Sequence, residues 1–324
     1  MRARTRQLPA LVAAAGLAIA CAACGSSANS GSPGGASTNG TASNSAGFPV
    51  TISTTSGKVH IPARPHAIIS LSPTATEMLY AIGAGGQVKA VDNYSDYPKQ
   101  APITKLSGFQ PNAEAIAAYQ PDLVIISNDI AGIAAKLKAL SIPVLEQPAA
   151  VSLSQEYAEF DQLGIATGHL AQAQQEVAKL KGQISKIRAA RPAHSGPLTY
   201  YYEVATDPYY SVTTSTFIGS VLSLLGMKSI ADKAKGAAAA GGYPSLSAEF
   251  ILKANPDYII LTDTGPTGGG QTAASVGRRP GWSVLTAVKD KHIILLNADI
   301  ASRWGPRVVN LMRDVAAALK SGSQ

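Results

Sequence analysis

The side chains best placed for chemistry in this 324-residue chain are tyrosines rather than catalytic dyads. The five histidines stand at positions 60, 66, 169, 194 and 292, and none falls in a metal-ligand spacing such as HExxH. No GxSxG elbow or Walker loop occurs, and the loose run Gly265–Gly270 has no Lys-Ser or Lys-Thr behind it. The expectation is therefore a protein that is not an enzyme, with no metal site and no cofactor. Aromatic residues make up only 6% of the chain, yet tyrosines gather in predicted loops: Tyr94, Tyr97, Tyr209, Tyr210 and Tyr243. Phe109 and Trp304 also fall in loops or at strand ends. Tyr and Trp combine flat apolar area with a polar tip, which suits a large, flat, amphipathic molecule. The run Tyr200–Tyr202 reads instead as part of a strand.

The elements that must position these residues are announced by an internal repeat. Residues 112–126 read NAEAIAAYQPDLVII and residues 247–261 read SAEFILKANPDYIIL, aligned without a gap and identical at six of fifteen positions. Each copy opens with a helix N-cap, Asn112 or Ser247, and carries an acid in the first turn, Glu114 or Glu249. A Pro-Asp stops each short amphipathic helix, and the apolar run after it reads as a buried strand. Two similar α/β lobes with mainly parallel sheets are the simplest architecture that explains this. A ligand cleft would lie between them.

The rest of the chain supports alternation of strands and helices. Val50–Thr54 and Lys58–Ile61 read as a hairpin whose three-residue loop ends in Gly57. Strands follow at Ala67–Leu71, Val88–Asp92, Leu123–Ser127 and Val144–Glu146, with helices at Thr74–Ile82, Asn112–Tyr119 and Ile133–Leu140. Between the two repeat copies, Leu153–Arg191 is helix-forming and free of proline, with a break near Gly164 and Gly168. Residues 169–191 are expected to form one long helix that joins the lobes as a strut. Lobe boundaries are expected at 48–168 and 192–324. In the second lobe, strands are expected at Leu198–Val204, Tyr258–Leu261 and His292–Leu296, and helices at Thr216–Leu225, Ala248–Ala254 and Arg307–Leu319.

The N-terminus points outside the cytoplasm. Arg2, Arg4 and Arg6 precede an apolar run of 16 residues, Leu8–Ala23, short for a membrane span and suited to a signal peptide over residues 1–23. The run ends in ACAACGSS, which resembles a bacterial lipobox, with Cys24 as the expected lipidated residue and Cys21 as its rival. These are the chain's two cysteines, so the folded body carries no disulfide. Residues 24–47 read as a flexible Gly/Ser/Asn/Ala/Thr linker. The formal charge of +7 is spread along the chain rather than clustered, which argues against a nucleic-acid partner.

From Val59 to Leu319 the chain resembles the substrate-binding proteins of ABC importers for vitamin B12 and ferric siderophores. The resemblance is carried by IISLSPTATEMLYAIGAG (68–85), the two repeat copies, and RPGWSVLTAVKDKHIILLN (279–297). NYSDYP (93–98) and DIASRWGPR (299–307) look most like the B12-binding branch. The resemblance implies a ligand site that includes Tyr94, Phe109, Tyr243, Asp299 and Arg303. Phe109 and Tyr243 stand where that branch has tryptophans, and Trp304 has no counterpart in it. Tyr209 and Trp304 join the expected site as loop aromatics. Glu114 and Glu249 are expected to dock on an ABC permease through arginines, besides complementing their helix dipoles. The expected protein is a lipid-anchored monomer that delivers a corrinoid, with a ferric siderophore or haem as the alternative. An anchored protein contacting cell-wall glycan is the reading from another class.

Overall fold

The two copies of the repeat fold alike and organise everything around them. The computed structural model describes residues 47–265 and 269–321. The expected leader, Cys21, Cys24 and the linker up to residue 46 lie outside the described residues. The chain opens with a hairpin, β1 (Val50–Thr54) and β2 (Gly57–Ile61). Its loop holds two residues rather than three, because Gly57 pairs with Thr54 as the first residue of β2. The first sheet has strands β3 (Ile68–Leu71), β4 (Val88–Val91), β5 (Leu123–Ile126) and β6 (Val144–Glu146), all parallel, in the order β4-β3-β5-β6. Helices α1 (Pro73–Ala81), α2 (Ala113–Ala117) and α3 (Ile133–Ala139) make the crossovers.

Next come α4 (Leu153–Thr167) and α5 (Leu170–Ala189), broken at Gly168, whose φ of 73° is left-handed. The second sheet uses β7 (Leu198–Glu203), and a short antiparallel trio follows, made of β8 (Ala205–Thr206), β9 (Tyr209–Tyr210) and a later strand. Then come α6 (Phe217–Ser223), β10 (Met227–Ser229), the trio's third strand β11 (Ser245–Leu246), α7 (Ala248–Ala254) and β12 (Tyr258–Leu261). The chain continues through α8 (Ala273–Gly277), α9 (Thr286–Lys289), β13 (Ile293–Leu295), α10 (Ala298–Ser302) and α11 (Val308–Ser321). The second sheet runs β10-β7-β12-β13, again all parallel. Each sheet therefore places its second strand outermost beside its first, then its third and fourth. The duplication seen in fifteen residues extends to the topology of two sheets.

Local chemistry explains why the copies fold alike. Asn112 Oδ1 accepts from Ala115 N at 2.9 Å and Ser247 Oγ from Phe250 N at 3.2 Å, so both helices are capped as expected. Each copy then turns through a left-handed residue before its proline, Gln120 (φ 53°) or Asn255 (φ 43°). The aspartate after the proline ties the sheet together. Asp122 accepts from the backbone N–H groups of His66 (2.8 Å) and Ala67 (3.0 Å), ahead of β3. Asp257 accepts from the N–H and hydroxyl of Thr199 in β7, both at 2.7 Å.

Strand side chains divide by alternation between two faces. Ile68, Leu123, Ile125, Tyr200, Tyr202, Tyr258 and Ile260 point into one large apolar cluster shared by both sheets, with Phe160, Leu180, Leu311 and Met312 of the helices. The opposite faces bury Ile69, Val124 and Ile126 against α2 and α3, and Tyr201, Ile259 and Leu261 against α7 and Trp282. The three consecutive tyrosines of β7 are strand residues as expected, and they alternate between these two cores.

Candidate functional site

A cavity of about 490 Å³ opens at the carboxyl ends of the first sheet. The ends of parallel strands are the usual ligand crevice of such sheets. Ser72 follows β3, Asp92 and Tyr94 follow β4, and Ser127 and Asn128 follow β5; all line the cavity. The opposite wall comes from α10 and the segment after it: Asp299, Ser302, Arg303 and Trp304. Five of the seven expected ligand residues thus meet in one cavity: Tyr94, Phe109, Asp299, Arg303 and Trp304.

The rim is aromatic and exposed. Tyr94 is 53% exposed and Phe109 67%. Their rings meet edge to face, centroids 5.4 Å apart at 90°. Phe109 reaches this place because Gly108 presses onto β3; a Cβ there would stand 2.6 Å from the Leu71 carbonyl oxygen. Asp92 secures the same loop. Its buried carboxyl accepts from Ser95 Oγ at 2.5 Å and from the Gly108 N–H, while burial pushes its pKa above the usual carboxylate range.

The opposite wall is locked by charge. The Arg303 side chain is only 10% exposed. It donates to Glu77 Oε1 (3.1 Å), Asp96 Oδ1 (3.1 Å), Asp299 Oδ1 (3.0 Å) and the Tyr94 carbonyl (3.1 Å). Arg307 forks onto the same Glu77, at 2.8 Å and 2.6 Å. Glu77, inside α1, therefore ties the first sheet's side of the cavity to the segment after α10. Arg303 lines the site, but both of its terminal nitrogens already donate to protein acceptors. Trp304 donates its indole N–H to Glu159 Oε2 at 2.8 Å, from the far side of the cavity wall.

Tyr209 and Tyr243 do not line this cavity. Tyr209 belongs to β9 rather than a loop, and its ring packs on Trp282 at 5.4 Å, with the Arg279 guanidinium over it. The loop placement expected for Tyr209 is thus corrected to a strand, and its ring packs against the second lobe's outer core. Tyr243 is 47% exposed. Its phenol lies close enough to Tyr202 to help raise that group's pKa, after burial and Tyr200. Tyr202 in turn donates to the Ala301 carbonyl of α10 at 3.1 Å. Tyr243 lies outside the lining of this cavity.

Glu114 and Glu249 are both exposed, in the first turns of α2 and α7. Those helices cover the outer faces of the two sheets, away from the shared core. A hydrogen bond from Ser247 holds the Glu249 carboxyl below its ordinary pKa.

Glu77, Asp92, Gly108, Asn128 and Glu159 belong to the site or its support and were not singled out from sequence. Glu77 left a trace there: it is the one charge in the helix PTATEMLYA. Glu159 left none, since Glu156 and Asp161 share its helix.

Comparison with known proteins places this geometry. A family model described as periplasmic binding protein matches residues 68–300. An uncharacterized ABC transporter substrate-binding lipoprotein of Bacillus subtilis is 31% identical over 281 residues, covering 84% of this chain and 86% of that one. Among solved structures, the periplasmic vitamin B12-binding protein of Vibrio cholerae is 26% identical with a TM-score of 0.66, covering 80% of this chain and 98% of that one. A possible iron-binding, periplasmic solute-binding protein of Staphylococcus epidermidis is 28% identical with a TM-score of 0.67, covering 78% of this chain and 98% of that one.

Proposed function

We propose a ligand for this chain on the premise that it belongs to the periplasmic binding protein family and is the extracytoplasmic substrate-binding component of an ABC importer. Members of the family are transport components, so the chain is not an enzyme. The proposed ligand is a corrinoid of the vitamin B12 type. The observation that carries this reading is the cavity's chemistry. One side is a pair of exposed aromatic rings, Tyr94 and Phe109, and the other an indole, Trp304. Its charged lining among the described residues is Asp92, Asp299 and an Arg303 already engaged by three carboxylates. Such a site offers flat apolar surface to a macrocycle and hydrogen-bond partners (Ser72, Ser127, Asn128, Ser302) to peripheral amides. A strongly anionic ferric catecholate would find no uncommitted cation there. The B12-binding neighbour of Vibrio cholerae supports the same choice.

Haem is the second reading, because the exposed Tyr94 phenol at the rim is a chemically competent iron ligand. Calorimetric titration with cyanocobalamin, haemin and a panel of ferric siderophores separates the readings. Heat of binding with cyanocobalamin alone supports the corrinoid. Binding of haemin that is lost in Tyr94→Phe, with none of cyanocobalamin, sinks it.

Delivery to the permease would use Glu114 and Glu249, one acid at the same repeat position on each lobe. The anchor would be lipid on Cys24. Cys24→Ser is expected to release the protein from membranes while Cys21→Ser leaves it there; release only by Cys21→Ser overturns that assignment.

A further inference from the structure

We propose that Glu159 is the positioning residue of the ligand cavity: from α4 it accepts the indole N–H of Trp304 and so fixes the face that this ring presents to the ligand. The proposal rests on the cavity being the ligand site and adds a residue that lies outside its lining.

Three observations converge on Glu159. It reaches across the molecule, from a helix that follows the first sheet to a tryptophan that follows the second, with Trp304 Nε1 2.8 Å from Glu159 Oε2. Its side chain is buried at 4% exposure, and its other oxygen, Oε1, has no hydrogen-bond partner among the described residues. A buried carboxylate with half its acceptors unused is costly, so a purely packing role would be served better by an apolar residue. Trp304, finally, is half-buried: it packs on the shared core and also lines the cavity. A ring on such a boundary needs a directional bond to hold one rotamer.

The surroundings of Glu159 make that bond sensitive to protonation. Facing it are Glu156 on its own helix, Gln147 after β6, whose amide donates to the Glu159 backbone oxygen at 2.9 Å, and Trp304. Glu156 is fully buried and both its oxygens lack partners among the described residues. Burial pushes the Glu159 carboxyl up to about 7, against the lowering effect of the Trp304 bond. Ionised Glu159 makes the stronger, charge-assisted bond, so the indole is held most firmly above that pH.

The indole N–H resonances of the full chain, labelled with ¹⁵N in detergent micelles, test this without any ligand. There are two tryptophans, and Trp304→Phe assigns the peak of interest, leaving buried Trp282 as the internal control for folding. The Trp304 indole N–H is expected to be rigid by heteronuclear NOE in the wild type and in Glu159→Gln, which keeps an acceptor. It is expected to become mobile in Glu159→Leu. Unchanged rigidity in Glu159→Leu, with the Trp282 peak in place, overturns the proposal. Where Glu159→Leu loses the Trp282 peak as well, the pH response decides. The wild-type Trp304 peak should move as pH falls through about 7 and the Glu159→Gln peak should not; the same titration in both overturns the proposal. In calorimetry, Glu159→Leu should weaken cyanocobalamin binding roughly tenfold, the value of one lost net hydrogen bond. Equal affinity in a variant whose indole has become mobile also overturns it. A wild type that ignores cyanocobalamin yet shows the Trp304 response supports the positioning of the ring and sinks only the corrinoid reading.

Discussion

Burial gives the acids of this protein different jobs. Glu77 is buried beneath two arginines and stays an ion-pair anchor. Glu156 and Glu159 are buried on one helix with no ion-pair partner among the described residues: burial first, then the charge of Glu159, pushes the Glu156 carboxyl well above its ordinary value, and Glu159 is raised to about 7. A raised carboxyl pKa means the folded state holds its proton longer than the unfolded one. Its contribution to stability is complete below the ordinary value of 4.5 and is lost as pH rises through about 7. The wild type should therefore lose stability relative to Glu159→Gln between about pH 5 and pH 8, by on the order of 3 kcal/mol. Urea denaturation at several pH values checks this; a wild-type-minus-variant difference that does not change with pH contradicts it. None of this was legible in the sequence, where Glu159 is one of three acids within a short stretch of helix. Tyr209 misled for the opposite reason. The run after Tyr202 carries no strand-length alternation and reads as loop, yet β9 forms because β8 and β11 supply partners too short to recognise from pattern.

At the scale of elements, the duplicated segment was the most legible feature. N-cap, acid, Pro-Asp and apolar strand each need a fixed residue type at a fixed spacing, so they survive in two copies and can be read. The aspartate tethers to the neighbouring strand were hidden, because their partners lie 55 to 58 residues away in sequence. The tethers make a prediction about equivalence. Asp122→Ala and Asp257→Ala should each cost about 1 kcal/mol, with the exposed Asp122 at the low end and the half-buried Asp257 at the high end. Because the two tethers sit in separate sheets, the double variant should lose the sum. Denaturation midpoints of the single and double variants measure this; a double loss far from additive contradicts independent tethers. In the region where a long helix was expected, 169–191, α5 spans Leu170–Ala189, and its Leu180 and Ile184 bury into the core shared by both sheets.

For the whole molecule, the shared apolar core and the Glu77–Arg303–Arg307 lock join the two sheets over a cavity, while α2 and α7, with exposed Glu114 and Glu249, cover the outer faces. The alternation of strands and helices announced two parallel sheets. The cavity's closure did not show in sequence, because it depends on contacts such as Arg303 with Asp96, 207 residues apart. The division of surfaces predicts a division of phenotypes. Glu114→Lys with Glu249→Lys should abolish import and leave ligand affinity nearly intact, because each lysine would face permease arginines. An uptake assay with the double variant checks this, and normal import would leave only the helix-dipole role for these acids. The cavity itself is tested most directly by calorimetric titration of cyanocobalamin into the wild type and into Phe109→Ala, a ring 67% exposed whose loss leaves the core untouched. The account predicts binding by the wild type and affinity weakened about tenfold by the substitution, through lost stacking area. Equal affinity in the two proteins, or no binding by a wild type that instead takes up a ferric siderophore, would contradict it.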